Sequence, residues 1–222
     1  METITLGQLL EAVGGTLLGE FQDREALIQR VETPFMHCSC CRIGLAGRAG
    51  FLRFSHHRQR TGIGERFDGH AYINAALEGG AVGCITARER ENYLPGKFYV
   101  KVSNTQKALR DLAAWYKGRF DIPFVAITGS VGKTTAKDMV AAVLGTKYKV
   151  LKTEGNFNNN VGLPLTLLRL TGEHQICVLE MGMDKAGEID YLAEIVKPDV
   201  GIITNIGDAH IERLGSRENI FK

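Results

Sequence analysis

Long apolar runs are missing from this sequence, and no stretch approaches the roughly 20 residues needed to cross a bilayer as a helix. The start, METITLGQLL, lacks the charged-then-apolar plan of a secretory leader. Excess charge of one sign is missing too. With 27 basic and 25 acidic residues the formal net charge is +2, which argues against a dedicated nucleic-acid binder. Cysteine is scarce outside one short stretch: only Cys84 and Cys177 lie elsewhere, each in an apolar run. Isolated thiols of that kind fit a reducing compartment, so the cytoplasm is expected, and they form no disulfide framework. Low-complexity tracts and internal repeats are absent. What remains is a soluble globular composition, 44% hydrophobic and 23% charged, long enough at 222 residues for one large or two small domains.

The first half alternates helix-like and strand-like segments. TLGQLLEAVGG reads as a short helix from about Leu6, capped by Thr5 and stopped by Gly14-Gly15. In ERFDGHAYINAALEGGAVGCITA, Asp68 can cap a helix that places Tyr72, Ala75, Ala76 and Leu77 on one side. Gly79-Gly80 ends it, and Val82–Thr86 follows as a buried strand. A strand over Phe98–Val102 leads into the amphipathic segment TQKALRDLAAWYKGRF, with Leu109, Leu112, Ala113 and Tyr116 on one face. From Phe124 the texture changes. FVAIT, QICVLEM and VGIITNI are unbroken apolar runs, as expected of parallel strands covered on both faces. Helices over Thr134–Leu144, Pro164–Leu170 and Glu188–Val196 fit between them. The prediction is a small α/β domain over residues 1–103, a linking helix over 104–122, and a doubly wound, mostly parallel α/β domain over 123–222. Its ligand should lie at the carboxyl ends of the strands.

The strongest chemical signal is FVAITGSVGKTTAKDMV. An apolar strand runs through Gly129, Ser130, Val131, Gly132, Lys133, Thr134 and Thr135 directly into a helix. Glycines permit the tight turn, backbone N–H groups and the helix N-terminus favour anions, a lysine reaches outer phosphates, and a threonine hydroxyl suits Mg²⁺. A common phosphate loop has its first glycine six residues before the lysine, where this chain has Ile127; here the glycines stand four and one before it. A bare GKT recurs in ordinary strand-to-helix turns, but the strand, the helix and the second threonine together favour phosphate binding. Three more stretches converge on the same end of the sheet. TEGNFNNNVGLPLTLL carries Asn156 and Asn158 to Asn160 before a helix, and capping accounts for one of them. VLEMGMDKAGEIDYL ends a buried strand on Glu180, a carboxylate that is costly there unless paired or bound to metal. VGIITNIGDAHIERLG follows its strand with Asn205, Asp208 and His210.

Together these stretches resemble the Mur ligases, ATP-dependent enzymes that extend the peptide of the peptidoglycan precursor. GNFNNNVGLPLTLL, LEMGMDKAGEIDYL, TNIGDAHIERLGS and GERFDGHAYINAALEGGA are similar to the branch that adds D-alanyl-D-alanine. The likeness covers most of residues 1–33 and 64–222. It implies a UDP-sugar-binding N-terminal domain and a central ATP-binding domain. It further implies that Gly129, Ser130, Gly132, Lys133, Thr134 and Thr135 hold ATP phosphates, that Thr134 and Glu180 ligate one Mg²⁺, and that His210 helps hold a second. Lys133, Glu180 and His210 would then be the catalytic set, with Asn158 and Asn159 along the substrate channel. The implied substrates are UDP-N-acetylmuramoyl-tripeptide and D-alanyl-D-alanine, joined through an acyl phosphate by a monomer, with no nucleic-acid or membrane partner. The family also has a third domain and a lysine, often carbamylated, about one turn beyond Lys222. The expectation is therefore a truncated chain with little ligation of its own. Other amide ligases of this architecture, of the folylpolyglutamate or cyanophycin type, and a non-catalytic nucleotide-binding remnant are the alternatives. A switch or motor NTPase would end a strand on aspartate, where this chain has Glu180.

One stretch fits none of this. MHCSCCRIGLAGRAGFLRFSHHRQR, residues 36–60, holds Cys38, Cys40, Cys41, His37, His56 and His57. The cysteines lack the two-residue separation of a zinc knuckle, and adjacent histidines do not easily share one ion. The flanks LIQRVET and GERFDGH match the family, but the middle does not. One choice of codons for residues 50–58, read one base later, gives Ala-Ser-Phe-Ala-Phe-Pro-Ile-Ile-Gly, close to the apolar strand expected there. Residues 34–63 are thus anomalous, either an out-of-frame translation between compensating shifts or a real insertion, and are expected as a loop with weak secondary structure.

Overall fold

The computed structural model describes residues 1–32, the backbone of 51–54, and residues 69–221. Asp68 and the Cys38–Cys41 and His56-His57 groups lie outside the described residues. The chain divides into two compact units, Met1–Leu112 and Ala113–Lys222.

In the first unit, β1 (Ile4–Thr5) pairs antiparallel with β3 (Leu27–Ile28), and α1 (Leu6–Val13) follows β1 at once. Thr5 and Gln8 form a reciprocal capping box: the Gln8 N–H donates to Thr5 Oγ1 at 3.2 Å and the Thr5 N–H to Gln8 Oε1 at 3.0 Å. Gly14, left-handed at φ 58°, ends the helix as its sequence signals. A five-stranded sheet runs in the order β2 (Thr16–Leu18), β7 (Phe98–Lys101), β6 (Gly83–Thr86), β5 (Phe51–Phe54), β4 (Arg30–Glu32). Only β2 is antiparallel to its neighbour. Gly83 is required by contact: a Cβ there would lie 2.3 Å from the Phe98 ring.

Two expectations are corrected in this unit. Phe51–Phe54, expected within a loop of weak secondary structure, is a paired strand, parallel to both β4 and β6. The helix before β6 is a 3-10 turn over Gly69–Tyr72 followed by α2 (Ile73–Glu78), and its buried face is Ile73, Ala76 and Leu77. Tyr72 and Ala75, expected on that face, are exposed. The change from 3-10 to α winding shifts the phase of the helical pattern, so a uniform 100° step misplaces both.

The helix α3 (Thr105–Lys117) carries the chain from one unit to the other. Asn104 Oδ1 caps it, accepting from the N–H groups of Gln106 and Lys107, and Leu109, Leu112, Ala113 and Tyr116 are fully buried as the periodicity predicts.

The second unit is a four-stranded parallel sheet, ordered β11 (Val200–Ile203), β8 (Phe124–Thr128), β10 (Ile176–Glu180), β9 (Val150–Lys152). Its helices are α4 (Lys133–Gly145), α5 (Gly162–Leu167), α6 (Glu188–Val196), α7 (Ile211–Leu214) and α8 (Arg217–Phe221). The predicted bounds of α6 agree with the structure; α5 begins two residues before Pro164 and ends at Leu167. The strand β9, three residues that follow Lys149 and end on Lys152, is too short to announce itself. Val200–Ile203 departs from the expectation of burial on both faces. It is an edge strand among the described residues, and Val200 and Ile203 are exposed. From β8 the chain crosses to β9 on one side, while β11 lies on the other, so β8 and its loop stand where the connections diverge.

Two buried groups make the packing testable. The Tyr116 hydroxyl donates to the Leu170 carbonyl at 2.7 Å in the core of the second unit. Tyr116→Phe strands that carbonyl and is expected to lower stability by about 1–2 kcal/mol in urea denaturation; an unchanged midpoint contradicts it. Burial pushes the Cys84 and Cys177 thiols up to about 12. At pH 8 only about one part in ten thousand is then thiolate. Iodoacetamide should label neither in the native protein and both in urea, as read by peptide mapping.

Candidate phosphate and metal site

The strand β8 delivers Thr128 to the top of the sheet, and the loop begins with Gly129 at φ 134°. A side chain there would be strained, and its Cβ would lie 2.2 Å from Thr204 Oγ1 and 3.0 Å from the Asn205 backbone. The loop is clamped from the segment after β11. Asn205 accepts twice, its carbonyl from the Ser130 N–H at 3.0 Å and its Oδ1 from the Val131 N–H at 3.0 Å. The Thr204 hydroxyl donates to the Val131 carbonyl at 2.6 Å, and Ser130 Oγ accepts from the Gly207 N–H at 2.8 Å. Ser130 and Val131 therefore spend their amides on shaping the loop. The donors left for an anion narrow to the first-turn N–H groups of α4, Gly132 to Thr135, which have no carbonyl one turn back to bond. Gly132, at φ 82°, turns the chain into the helix. Lys133 Nζ lies over the loop, donating to the Gly129 carbonyl at 2.6 Å and the Ser130 carbonyl at 3.3 Å, while Thr134 and Thr135 are exposed at the rim.

The end of β10 sits beside this loop, because Glu180 is in register with Ile127 and the Met181 N–H donates to the Ile127 carbonyl. Glu180 is 2% exposed. Its backbone N–H donates to Thr153 Oγ1, and its Oε1 accepts from Asn158 Nδ2 at 2.8 Å. Its Oε2 is buried without any hydrogen-bond partner and faces Lys137 Nζ at 3.9 Å. An ionised oxygen left so is costly, and a hard cation satisfies it. A buried carboxylate, an exposed threonine hydroxyl and phosphate oxygens form the all-oxygen donor set that Mg²⁺ prefers. The residues present therefore fit that ion. No cluster of three or more histidine, cysteine, aspartate or glutamate side chains occurs among the described residues, so a metal here would lean on the nucleotide for its remaining ligands.

Of the residues expected from sequence, Lys133 and Thr134 open α4 after the β8 loop, and Glu180 ends β10, the strand paired with β8. The asparagines divide their work: Asn158 holds Glu180, and Asn159 Oδ1 caps the start of α5, accepting from the Val161 and Gly162 N–H groups. His210 occupies a left-handed position, φ 61°, ahead of α7, with Nδ1 3.5 Å from Asp184 Oδ1. Asp208 is taken by a two-pronged pair with Arg217, whose guanidinium holds its carboxyl below the usual range. Lys137 was missed. It is buried at 2% exposure one helical turn after Lys133, and the i, i+4 spacing of the two lysines was the available signal.

Residues 127–222 match the Mur ligase middle domain. The chain is similar to Mur ligases. It is 48% identical over 157 residues to the UDP-N-acetylmuramoyl-tripeptide–D-alanyl-D-alanine ligase of Bacillus subtilis, a match covering 71% of this chain and 34% of that protein. Against the ligase of the same name from Escherichia coli the identity is 33% over 222 residues, all of this chain and 44% of that one. Among solved structures, MurF from Acinetobacter baumannii superposes with a TM-score of 0.84 at 32% identity, covering 100% of this chain and 45% of that one. The MurF ligase of Thermotoga maritima in complex with ADP gives 0.68 at 37% identity over 78% and 38% of the two chains. The chain thus spans between a third and a half of the length of these relatives.

Gly129→Ala is expected to cost about 1–2 kcal/mol from the left-handed backbone alone and to displace Asn205. Thermal melting should show the loss, with wild-type stability refuting the clamp.

Proposed function

We propose that this chain serves an ATP-dependent carbon–nitrogen ligase that adds D-alanyl-D-alanine to UDP-N-acetylmuramoyl-tripeptide. The observation that carries the reading is the buried Glu180 Oε2, which lacks a hydrogen-bond partner, beside a clamped glycine-rich loop, in a chain similar to ligases of that name. The Gly132–Thr135 amides and Lys133 would hold the ATP phosphates, with Thr134 and Glu180 holding Mg²⁺. When bound, the ion neutralises phosphate charge and orients the γ-phosphoryl group. His210, steered by Asp184, is proposed to help hold a second ion, and Asn159 to border the precursor.

The chemistry asks little covalent help from the protein. A precursor carboxylate oxygen attacks the γ-phosphorus as the bond to ADP breaks, giving an acyl phosphate. The D-alanyl-D-alanine amine then attacks the acyl carbon, expelling phosphate and forming the amide. Both steps need alignment and stabilised charge, which a rigid loop with fixed amides and a lysine provides. In the first unit, a cavity of about 420 Å³ at the carboxyl end of β6 is lined by Asn74, Thr86, Arg88, Arg90 and Tyr93. Its guanidinium groups and aromatic ring suit the uridine diphosphate portion of the precursor. The reading places the protein in the cytoplasm, where ATP is available, acting as a monomer on small molecules.

Lys133→Ala should weaken Mg²⁺-ADP binding by about 30-fold or more, since it removes the charged partner of the outer phosphate. Calorimetric titration of the folded variant checks this, and wild-type affinity would overturn the assignment.

A further inference from the structure

Lys137 has no part in the scheme above, yet it is among the most buried charges of the second unit. It stands one turn beyond Lys133 on α4, with Nζ 3.9 Å from Glu180 Oε2 and 3.5 Å from Asp138 Oδ1. Asp138 is already bonded by Lys152 at 2.7 Å, and that ammonium holds its carboxyl below the usual range. Glu180 is therefore the unshared counter-charge for Lys137. Asn158 fixes Oε1, so the oxygen left for a metal is the one Lys137 faces.

We propose that Lys137 is a positioning residue that acts as the resident counter-ion of Glu180 and makes divalent-metal binding conditional on nucleotide. The inference rests on Glu180 being the metal carboxylate. Without nucleotide, a cation approaching Oε2 meets the Lys137 ammonium 3.9 Å from it, whose charge offsets that of the carboxylate and leaves no net attraction. Nucleotide phosphates reverse the balance. The ammonium stays within reach of the carboxylate throughout, giving it an opposite charge in a buried pocket. Empty protein then neither captures stray metal nor leaves a bare buried charge.

The test is thermal melting of the full chain without nucleotide. Wild type should shift by less than about 2 °C on adding millimolar Mg²⁺ or Mn²⁺, because ligand stabilisation needs concentrations well above Kd. Lys137→Met, which keeps the length and removes the charge, should melt about 10 °C lower in metal-free buffer and regain at least half of that with either ion alone. Lys137→Arg should behave as wild type, and Lys137→Met combined with Glu180→Gln should lose the metal response. A Lys137→Met protein that does not respond to metal overturns the proposal. Where that variant does not fold, Mn²⁺ titration of wild type by electron paramagnetic resonance decides. Tight binding at a Glu180-dependent site without ADP overturns the proposal, and binding only with ADP supports it. Glu180→Gln alone separates the two readings. Unchanged metal-dependent ADP binding in that variant sinks the metal assignment itself, whereas its loss beside an unresponsive Lys137→Met sinks only the role of Lys137.

Discussion

A carboxylate buried at the end of a parallel strand is the constraint around which the second unit is arranged. Glu180 is 2% exposed, and an ion so placed is tolerated only if each oxygen has an electrostatic partner. Asn158 supplies one from the loop before α5, Thr153 fixes the backbone from the end of β9, and Lys137 supplies the opposite charge from α4. Three separate segments are thereby tied to the last residue of β10. The same residue is in register with Ile127, two before the phosphate loop, so satisfying the carboxylate also fixes the loop's distance from it.

The loop is held independently from the other side. Asn205 and Thr204, following the outer strand β11, bind the backbone of Ser130 and Val131, and Gly207 binds the Ser130 hydroxyl. This clamp explains why Gly129 has no room for a side chain. It also separates two jobs within one short motif: the first residues of the loop are shaped by β11's extension, and the remaining amides at the start of α4 are left to face an anion. Preorganisation of this kind matters for phosphoryl transfer, where fixed donors avoid reorganisation at the moment of reaction.

Much of this was legible because the residues concerned obey local rules. Unbroken apolar runs gave the parallel strands, the Thr5 and Gly14 signals bounded α1, and the glycine–lysine–threonine turn was expected between a strand and a helix, where it lies. Other features depend on partners remote in sequence. Asn158 and Asn159 are adjacent and chemically identical, yet one holds a carboxylate and the other caps a helix, a division set by where β10 lies. Lys137 reads as a solvated helix lysine until Glu180 is placed against it. Val200–Ile203 looks like an interior strand in sequence but is an outer one here, since apolar content does not report neighbours. Tyr72 and Ala75 were misplaced because a 3-10 turn breaks the helical phase before α2.

The central claim is that the loop and Glu180 form one nucleotide–metal site. A crystal structure of this chain with Mg²⁺ and a non-hydrolysable ATP analogue tests it most directly. The account predicts β- and γ-phosphate oxygens within hydrogen-bonding distance of the Gly132–Thr135 amides and Lys133 Nζ. It also predicts a metal ion at about 2.1 Å from Thr134 Oγ1 and Glu180 Oε2. An ion bound only by phosphates and water, with Glu180 Oε2 still facing Lys137, would contradict it.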